Sequence, residues 1–489
     1  MNLDTIIKYI DVKEKLNYKD VDIKGISYNS NTINSHEIFV CLKGEHVDGH
    51  DFAQSAFEKG AVALMVERPL NIEIPQIVVN STQESIADLA AAFYHHPSKE
   101  LNLIGVTGTN GKTTVAHLVQ KIFEEDKKRC ALIGTLGYKL ASSDDYLEAK
   151  HTTPQAPQMQ ATLAKILKAD ILNVVTEVSS HALEQHRVKN CEFDTAVFTN
   201  LTQDHLDYHI TMENYFNAKA KLFKSLKKGN NAIINADDKY ASRLIDLIDK
   251  DVNIITYGVK NKSDLSAKNI EFMHDGVSFD CEFKGETLPF KLHLNGMFSV
   301  YNCLASIGVG LSNGISLSTI KSALEKTRSV AGRFEIVQTS PMVIVDYAHT
   351  PDGLENILRA ARELTPKDAN LICLFGCGGN RDCTKRPKMG KIAQQLCDKI
   401  IITSDNPRQE DPQQIITDIL SGLSLINPKT VFVEPDRRLA IKLLKEISQD
   451  NDVLVLAGKG HENYQILADK TIHFDDREEA LKVFSKEPV

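Results

Sequence analysis

The segment 101–114 contains the residue types of a phosphate-binding loop. A short apolar run leads into two glycines three residues apart, and the residues after them repeat with helical periodicity. A strand, a glycine turn and a helix N-terminus together direct backbone N–H groups and the helix dipole at phosphate. Lys112 adds a mobile positive charge, and the hydroxyl of Thr113 or Thr114 can contact a nucleotide's magnesium ion. The glycine spacing differs from the usual Walker A loop, yet the segment favours nucleotide binding over a tight turn with a surface lysine.

Polar side chains follow two further apolar runs. Glu177 comes directly after the run 171–176, at the carboxyl end of a predicted strand, where open α/β sheets bind their ligands. The segment 199–209, which contains His205, follows another predicted strand. A carboxylate and an imidazole from neighbouring strand ends can hold a divalent metal near the phosphates. The alternative is a set of solvated loop side chains, which the density of polar groups at successive strand ends disfavours.

Lys219 lies on the apolar stripe of a predicted helix at 213–225. Its neighbours three and four positions away are Tyr215, Phe216, Leu222 and Phe223. Lys221, by contrast, falls on the polar side. A desolvated lysine has a lowered pKa, and a neutral amine can react with carbon dioxide to give an anionic carbamate that ligates magnesium. The alternative is a lysine whose stem packs on the apolar stripe while its head reaches solvent.

Composition and length set the broad class. A chain of 489 residues is too long for one core and predicts about three domains. The net charge of −8 gives no general reason to bind nucleic acid or an anionic membrane, so anionic ligands require local sites. No apolar stretch approaches the roughly 20 residues of a membrane span, and no signal peptide is predicted. Nine scattered cysteines favour reduced thiols and a cytoplasmic location. The cluster of Cys373, Cys377 and Cys383 lacks the paired spacing of a zinc site.

Alternating strands and helices predict an α/β protein of three domains, 1–98, 99–330 and 331–489. A stretch containing Pro97 is the first predicted linker, and the second hinge lies near residue 331. Ser81 with Glu84 predicts the capping box of a helix at Thr82–Tyr94. The predicted strands are Ile38–Leu42, Ala61–Val66, Gln76–Val79, Leu172–Val178, Thr195–Thr199, Asn231–Asn235, Met342–Asp346, Leu371–Phe375, Lys399–Thr403, Thr430–Val433 and Val453–Leu456.

Taken together, these motifs resemble those of the Mur ligase family, ATP-dependent enzymes that build the peptide stem of peptidoglycan precursors. The resemblance runs essentially end to end. It implies an N-terminal α/β domain that binds a UDP-linked substrate, a central P-loop-type ATPase domain with a mostly parallel sheet, and a C-terminal Rossmann-like domain that binds an amino acid. It assigns ATP contacts to Gly108, Thr109, Asn110, Gly111, Lys112, Thr113, Thr114, Asn302, Arg333 and Asp346. It assigns magnesium to Thr113, Glu177, His205 and a carbamylated Lys219, with Lys112, Glu177, His205 and Lys219 as the catalytic set.

The substrate side resembles the subgroup that adds the third residue to UDP-N-acetylmuramoyl-L-alanyl-D-glutamate. The residues implied as contacts of this UDP-linked dipeptide are Ser30, His46, Thr152, Thr153, Ser179, Gln185 and Arg187. The chain departs from the family at Asn29-Ser30-Asn31, where Asp-Ser-Arg is usual. That departure affects individual UDP contacts rather than the substrate class.

The segment 405–408, Asp-Asn-Pro-Arg, resembles the signature of members that add meso-2,6-diaminopimelate. Diaminopimelate is lysine with one more carboxylate, and the planar fork of Arg408 suits that group. The implied amino-acid contacts are Arg381, Asp405, Asn406, Arg408, Gly458 and Glu462. By itself, Arg408 is equally consistent with a turn arginine.

The implied reaction is amide formation through an acyl phosphate, with ATP and Mg²⁺, after the domains close. The expected partners are the UDP-MurNAc-dipeptide and meso-diaminopimelate, with no nucleic acid or membrane, and a monomer is expected. The alternatives are a lysine-adding variant, a folylpolyglutamate synthase, a plain P-loop ATPase and a non-catalytic scaffold. The last predicts erosion at Lys112, Glu177, His205 or Lys219, and all four are present.

Overall fold

The computed structural model describes residues 1–44, 47–141, 144–147, 151–273 and 275–485. Three large sheets of five, ten and six strands follow one another along the chain, each with its own helices. The predicted α/β class is therefore confirmed. No helix in these ranges is long and apolar enough to cross a membrane.

The first sheet has the order β1-β5-β4-β3-β2, with β1 antiparallel to β5 and the other pairs parallel. The Ser81 hydroxyl accepts a hydrogen bond from the Glu84 N–H, as the predicted cap requires. The stretch that contains Pro97 forms a 3-10 helix, Pro97–Glu100, whose Ser98 is buried and bonded to the Asn190 carbonyl. The elements are α1 (Leu3–Ile6), β1 (Val12–Leu16), β2 (Gly25–Ser27), β3 (Glu37–Val40), α2 (Ala53–Glu58), β4 (Ala63–Val66), β5 (Gln76–Val79) and α3 (Thr82–Phe93).

The second sheet has the order β15-β14-β13-β12-β11-β10-β6-β9-β7-β8. Neighbouring strands from β13 to β7 are parallel, whereas β8 and the β13–β15 meander pair antiparallel at the edges. The elements are β6 (Asn102–Thr107), α4 (Lys112–Glu125), β7 (Cys130–Gly134), β8 (Gly137–Lys139), α5 (Ala156–Lys168), β9 (Asn173–Glu177), α6 (Ser180–Glu184), β10 (Thr195–Phe198), α7 (Leu206–His209), α8 (Met212–Lys224), β11 (Asn231–Asn235), α9 (Ala241–Ile245), β12 (Asn253–Gly258), β13 (Leu265–Met273), β14 (Gly276–Phe283), β15 (Glu286–Leu292), α10 (Met297–Ser312) and α11 (Leu317–Lys326).

Both faces of this sheet are covered by helices, as parallel strands require. Along β6, Ile104 and Val106 pack in the core that contains α4 and α10, whereas Leu103 packs in the core that contains α5 and α8. The alternation of side chains along a strand thus splits one apolar run between two cores. The central strands β6, β9 and β10 end at one edge, where the predicted loop and metal residues follow them.

The third sheet has the order β16-β17-β21-β18-β19-β20 and is parallel except at the β16 edge. Its five predicted strands are confirmed to within one residue at each end. The elements are β16 (Glu335–Thr339), β17 (Met342–Asp346), α12 (Pro351–Leu364), β18 (Leu371–Phe375), α13 (Arg386–Leu396), β19 (Lys399–Ile402), α14 (Pro412–Leu420), β20 (Val431–Val433), α15 (Arg437–Ile447), β21 (Val453–Ala457), the hairpin β22 (Tyr464–Ile466) and β23 (Thr471–His473), and α16 (Asp476–Phe484).

Candidate active site

The predicted phosphate loop lies between β6 and α4. The first intrahelical hydrogen bond of α4 runs from the Val115 N–H to the Gly111 carbonyl, so the N–H groups at the start of the helix have no intrahelical partner. Gly111 has φ +88°, and a Cβ there would lie 2.4 Å from Asn302 Oδ1. Lys112 Nζ donates to the carbonyls of Gly108 and Thr109 at 3.0 and 2.8 Å. The loop therefore joins exposed backbone donors to a cation, the combination that binds phosphate.

Glu177 ends β9 and is fully buried next to this loop. Its Oε2 accepts a hydrogen bond from the Thr113 hydroxyl at 2.9 Å and another from the Thr135 hydroxyl at 3.0 Å. Its Oε1 accepts from the Thr135 N–H at 2.8 Å. Three donors fix the carboxylate, and the Thr113 hydroxyl beside it supplies a second hard oxygen. Thr135 was not predicted, because only the fold brings it to the end of β9.

Lys219 is buried on α8, as the helical pattern predicts, with a side chain that is 2 % exposed. Its Nζ donates to the Gly108 carbonyl at 2.8 Å and lies 4.6 Å from the centre of the Tyr215 ring. Burial, reinforced by the nearby charge of Lys112, holds the pKa of Lys219 well below its usual value. Lys221 extends outward and pairs with Glu184 at 2.6 Å. The two lysines thus occupy the two environments that the sequence predicted.

His205 directly precedes α7 and has a left-handed φ of +55°, and its Nε2 lies 3.3 Å from Asp204 Oδ2. Asp204 is buried and also lies 3.7 Å from both His349 Nε2 and Lys385 Nζ, which belong to the C-terminal segment. Burial alone would raise the pKa of Asp204, but His205, Lys385 and His349 hold it well below its usual value. Burial lowers the pKa of His205 itself to about 3, which leaves the imidazole neutral at physiological pH. Asp204 was not predicted, although its position next to His205 is a signal for it.

The C-terminal segment contacts the phosphate loop directly. Arg333 donates from NH2 to the Thr113 hydroxyl at 3.0 Å, and its guanidinium stacks 4.5 Å from the centre of the Tyr347 ring. The Asp346 carboxylate accepts from the N–H groups of Phe334 and Ala348, both at 2.7 Å. Burial raises the pKa of Asp346 in spite of the nearby Arg333 charge. Asp346 thereby fixes the turn that carries Arg333 to the loop.

A cavity of about 370 Å³ joins these elements. Of the predicted site residues, those lining it are Thr109, Asn110, Gly111, Lys112, Thr113, Thr114, Thr152, Glu177, Ser179, His205, Asn302, Arg333 and Asp346. The Nζ of Lys219 reaches the back of the same loop through the Gly108 carbonyl.

The predicted dipeptide contacts form one hydrogen-bonded group beside this cavity. Thr153 donates to the Glu177 carbonyl at 2.8 Å and accepts from the Ser179 N–H at 3.0 Å. Arg187 donates to the Thr153 carbonyl at 3.1 Å and to Gln185 Oε1 at 2.6 Å. Thr152 is linked through a hydroxyl contact of 3.1 Å to Thr135. The group therefore connects to the Glu177 carboxylate.

The N-terminal segment reaches this group through α3, because Gln83 donates to the Gln185 carbonyl at 2.9 Å. Ser30 is buried, and its carbonyl accepts from Lys59 Nζ at 2.8 Å. His46 lies outside the described residues.

The predicted amino-acid contacts gather at the carboxyl ends of β18, β19 and β21. Arg408 has φ +54° and donates from NH1 to the carbonyls of Gly379 and Asn406 at 3.0 and 3.3 Å. Burial, together with the neighbouring Arg381 charge, lowers the pKa of Arg408. Arg381 donates to the Asn380 carbonyl at 2.9 Å. Among the residues that the structure describes, neither arginine forms an ion pair.

Carboxylates lie on the other side of this group. Glu462 accepts from Asn406 Nδ2 at 2.9 Å and from Lys459 Nζ at 3.1 Å. Burial and the nearby Asp405 raise the pKa of Glu462, against the effect of Lys459. Gly458 has φ +114°, and a Cβ there would lie 2.6 Å from Asp405 Oδ2. Lys459 was not predicted, although a lysine between two glycines after an apolar run is a signal for it.

The described ranges contain no group of three or more His, Cys, Asp or Glu side chains that could hold a metal ion. Magnesium does not need such a cage, because it is usually held by one or two carboxylates, waters and substrate phosphates. The Glu177 carboxylate and the Thr113 hydroxyl beside the loop fit that requirement.

Comparisons with known proteins agree along the whole chain. Three family models match it: "Mur ligase family, catalytic domain" at residues 22–96, "Mur ligase middle domain" at 106–310 and "Mur ligase, glutamate ligase domain" at 332–460. A UDP-N-acetylmuramoyl-L-alanyl-D-glutamate–2,6-diaminopimelate ligase of Halalkalibacterium halodurans is 44% identical, covering 93% of each chain. One of Clostridium botulinum is 44% identical, covering 98% of each chain. A solved structure of a ligase of the same description is 33% identical, with a TM-score of 0.66 and coverage of 94% of each chain. The chain belongs to the Mur ligase family.

Proposed function

We propose that this protein is the ATP-dependent ligase that adds meso-2,6-diaminopimelate to UDP-N-acetylmuramoyl-L-alanyl-D-glutamate during peptidoglycan precursor synthesis. The observation that carries the proposal is the charge arrangement at the ends of the C-terminal strands. Among the residues that the structure describes, Arg381 and Arg408 bond only backbone carbonyls there, while Asp405 and Glu462 lie beside them. Diaminopimelate has two carboxylates and two ammonium groups. At the end of the molecule that does not form the new amide, the carboxylate can pair with an arginine and the ammonium group with an acid. Relatives 41–44% identical along nearly the whole chain have the same activity in their names.

Lysine fits this arrangement less well. It has the distal ammonium but no distal carboxylate, so Arg408 would stay without a counter-charge in a half-buried position. A site built to hydrogen-bond one group rejects the analogue that lacks it, because its own polar atoms are left unpaired. The pocket therefore favours diaminopimelate over lysine.

The central cavity is the proposed site of the chemistry. ATP lies on the loop 108–114, with Lys112 on its terminal phosphates and Asn302 near its base. The γ-carboxylate of D-glutamate attacks the γ-phosphate, which gives an acyl phosphate and ADP. The amine of diaminopimelate then attacks the acyl carbon and expels phosphate. Arg333, which already reaches Thr113 from the C-terminal segment, adds positive charge where the transferred phosphoryl group is negative.

Magnesium would be held by Thr113, Glu177, His205 and carbamylated Lys219, and it would neutralise charge on the phosphates. The neutral imidazole of His205 and the lowered pKa of Lys219 support these roles. Carbamylation joins the neutral Nζ to carbon dioxide and releases one proton. It replaces an uncharged amine with an anion next to the loop.

The remaining roles are also proposals. Thr152, Thr153, Ser179, Gln185 and Arg187 hold the dipeptide portion, and Ser30 and His46 contact the uridine nucleotide. Residues 1–98, 99–330 and 331–489 act as three domains, and their closure excludes water that would hydrolyse the acyl phosphate. We place the protein in the cytoplasm, because all nine cysteines are free thiols. We propose that it acts as a monomer.

The test is product formation with Mg-ATP, the UDP-linked dipeptide and either meso-diaminopimelate or L-lysine. Product mass and phosphate release are measured together. We expect tripeptide and phosphate with diaminopimelate and little of either with lysine. Product with lysine alone would keep the ligase assignment and refute the pocket. Bound ATP without product from either amino acid would refute the proposed function.

A further inference from the structure

A buried ion pair lies behind the amino-acid pocket, and neither of its residues has been assigned a role above. Arg437 is the first residue of α15 and Asp476 the first residue of α16, and both side chains are fully buried. Arg437 Nε donates to Asp476 Oδ1 at 2.8 Å, and NH2 donates to Oδ2 at 2.7 Å. The contact is therefore bidentate, the geometry that fixes a guanidinium most firmly.

The remaining donors of Arg437 reach the two strand ends that form the pocket. NH2 also donates to the Ala457 carbonyl at 3.0 Å, and NH1 donates to the Ser404 carbonyl at 3.4 Å. Ala457 is the last residue of β21, and Ser404 lies two residues after the end of β19. The chain continues from Ser404 into Asp405–Arg408 and from Ala457 into Gly458–Glu462. One side chain thus fixes the start of both pocket loops.

The two pocket loops are in direct contact, so a change in the distance between them would alter the shape of the pocket. A Cβ on Gly458 would lie 2.6 Å from Asp405 Oδ2, and Asn406 of one loop donates to Glu462 of the other at 2.9 Å. Burial alone would lower the pKa of Arg437, but Asp476, with Asp405 and Glu462, raises it. The guanidinium therefore stands within electrostatic reach of both acids of the pocket.

A buried ion pair is weak evidence for stability, because the desolvation of two charges offsets most of their attraction. The hydrogen bonds from Arg437 to the two strand ends have a more direct use, which is to hold both pocket loops in place. We propose that Arg437 and Asp476 are positioning residues for the amino-acid substrate, which set the distance between the carboxylate-binding Arg408 and the ammonium-binding Glu462. The identity of that substrate rests on the proposed function.

The experiment compares Asp476→Asn with Asp452→Asn. Asp452 is a matched control, because it is a fully buried carboxylate at the opposite, amino-terminal edge of the same sheet. It accepts from the N–H groups of Asn370 and Gln449 at 2.7 and 2.9 Å and so joins loops far from the pocket. Thermal midpoint, kcat, and KM for diaminopimelate and for ATP are measured for each variant.

We expect Asp476→Asn to raise KM for diaminopimelate by about tenfold to a hundredfold, as a displaced supporting residue does, with KM for ATP unchanged. Asp452→Asn should lower the thermal midpoint and leave both KM values unchanged. Equal effects of the two variants on KM for diaminopimelate, or no effect of Asp476→Asn, would overturn the inference.

Arg437→Lys is the second variant, for the case in which Asp476→Asn does not fold. It keeps the buried charge paired, but one ammonium group cannot hold a carboxylate and two carbonyls in the same geometry. The same selective rise in KM is expected, and an unchanged KM refutes the inference. The wild-type protein separates the two proposals. If it uses L-lysine and not diaminopimelate, the proposed substrate is refuted, and the role of the pair is then tested by the same selective rise in KM for lysine.

Discussion

Replacing Lys219 with methionine isolates the chemical role of its amine from its packing. The side chain is buried, and its polar contacts are one hydrogen bond to the Gly108 carbonyl at 2.8 Å and the face of Tyr215. Methionine has a similar length and no charge, so the helix stripe keeps its volume. Lys221→Met is the matched control on the same helix, because that lysine forms only an exposed pair with Glu184.

The expected effects on stability are small. Loss of one hydrogen bond costs about 1 kcal/mol, and removal of a buried amine offsets part of that cost. The exposed Lys221 pair contributes less than about 1 kcal/mol. Both variants should therefore fold. Loss of one fixed electrostatic stabiliser lowers kcat by about 10²–10³-fold, or about 3–4 kcal/mol, and only Lys219→Met should show it.

The lowered pKa of Lys219 explains why carbamylation selects this residue. A lysine with an ordinary pKa of about 10.4 is almost entirely protonated at pH 7, and each unit of lowering raises the neutral fraction about tenfold. Carbon-13 NMR after incubation with labelled bicarbonate should show a carbamate resonance in the wild type and not in Lys219→Met. A short carboxylate in solution should restore part of the activity of Lys219→Ala, whose cavity admits it. Full turnover by Lys219→Met, or the same loss in Lys221→Met, would refute the carbamate role.

Three further predictions concern the loop, the pocket and a buried histidine. Arg408→Ala should raise KM for diaminopimelate by about tenfold to a hundredfold, since a charged hydrogen bond contributes about 1.5–3 kcal/mol, and leave KM for ATP unchanged. Steady-state kinetics would show a structural role instead if both constants rose together. Gly111→Ala should raise KM for ATP, because its Cβ would meet Asn302 Oδ1 at 2.4 Å, whereas Gly229→Ala has a similar φ of +85° with open space and should not. Equal ATP kinetics in the two variants would contradict this reading. Burial lowers the pKa of His461 to about 3, so the unfolded chain binds more protons than the native state below about pH 6.5, and wild-type stability falls as pH drops. Between pH 6.5 and 5, thermal denaturation should show that His461→Gln loses about 1.6 kcal/mol less stability than the wild type, and an equal loss in the two proteins would refute the assignment.

Local patterns were enough for much of the fold and part of the site. Apolar runs between turns located the parallel strands, because strands covered on both faces are apolar throughout. Helical spacing placed Lys219 on the apolar stripe and Lys221 on the polar side, and it left open whether the Lys219 amine reaches solvent. The phosphate loop was recognisable because its glycines, lysine and threonines are contiguous.

Features that depend on distant residues could not be predicted in this way. The meander at β13–β15 has no long apolar run and was missed, although the alternation of apolar and polar residues along β14 is a local signal for a strand. Lys385 lies beside Asp204 although the two residues are 181 positions apart in the sequence. Arg437 pairs with Asp476, which is 39 positions away. Only the order of strands in each sheet brings these charges together.

The buried cations of the site share a feature that explains how an acidic chain holds anionic ligands. Lys112 and Arg408 each donate to backbone carbonyls, and within the described ranges neither of them has a carboxylate partner. A carbonyl is a neutral acceptor and gives a weaker contact than a charged one, so an arriving phosphate or carboxylate can displace it with a net gain. Where this protein pairs its buried cations with acids, as at Arg386 and Arg437, the pair is already complete. Unpaired cations at strand ends therefore distinguish binding groups from positioning groups, and the net charge of −8 does not oppose binding at sites where local charges are buried and close.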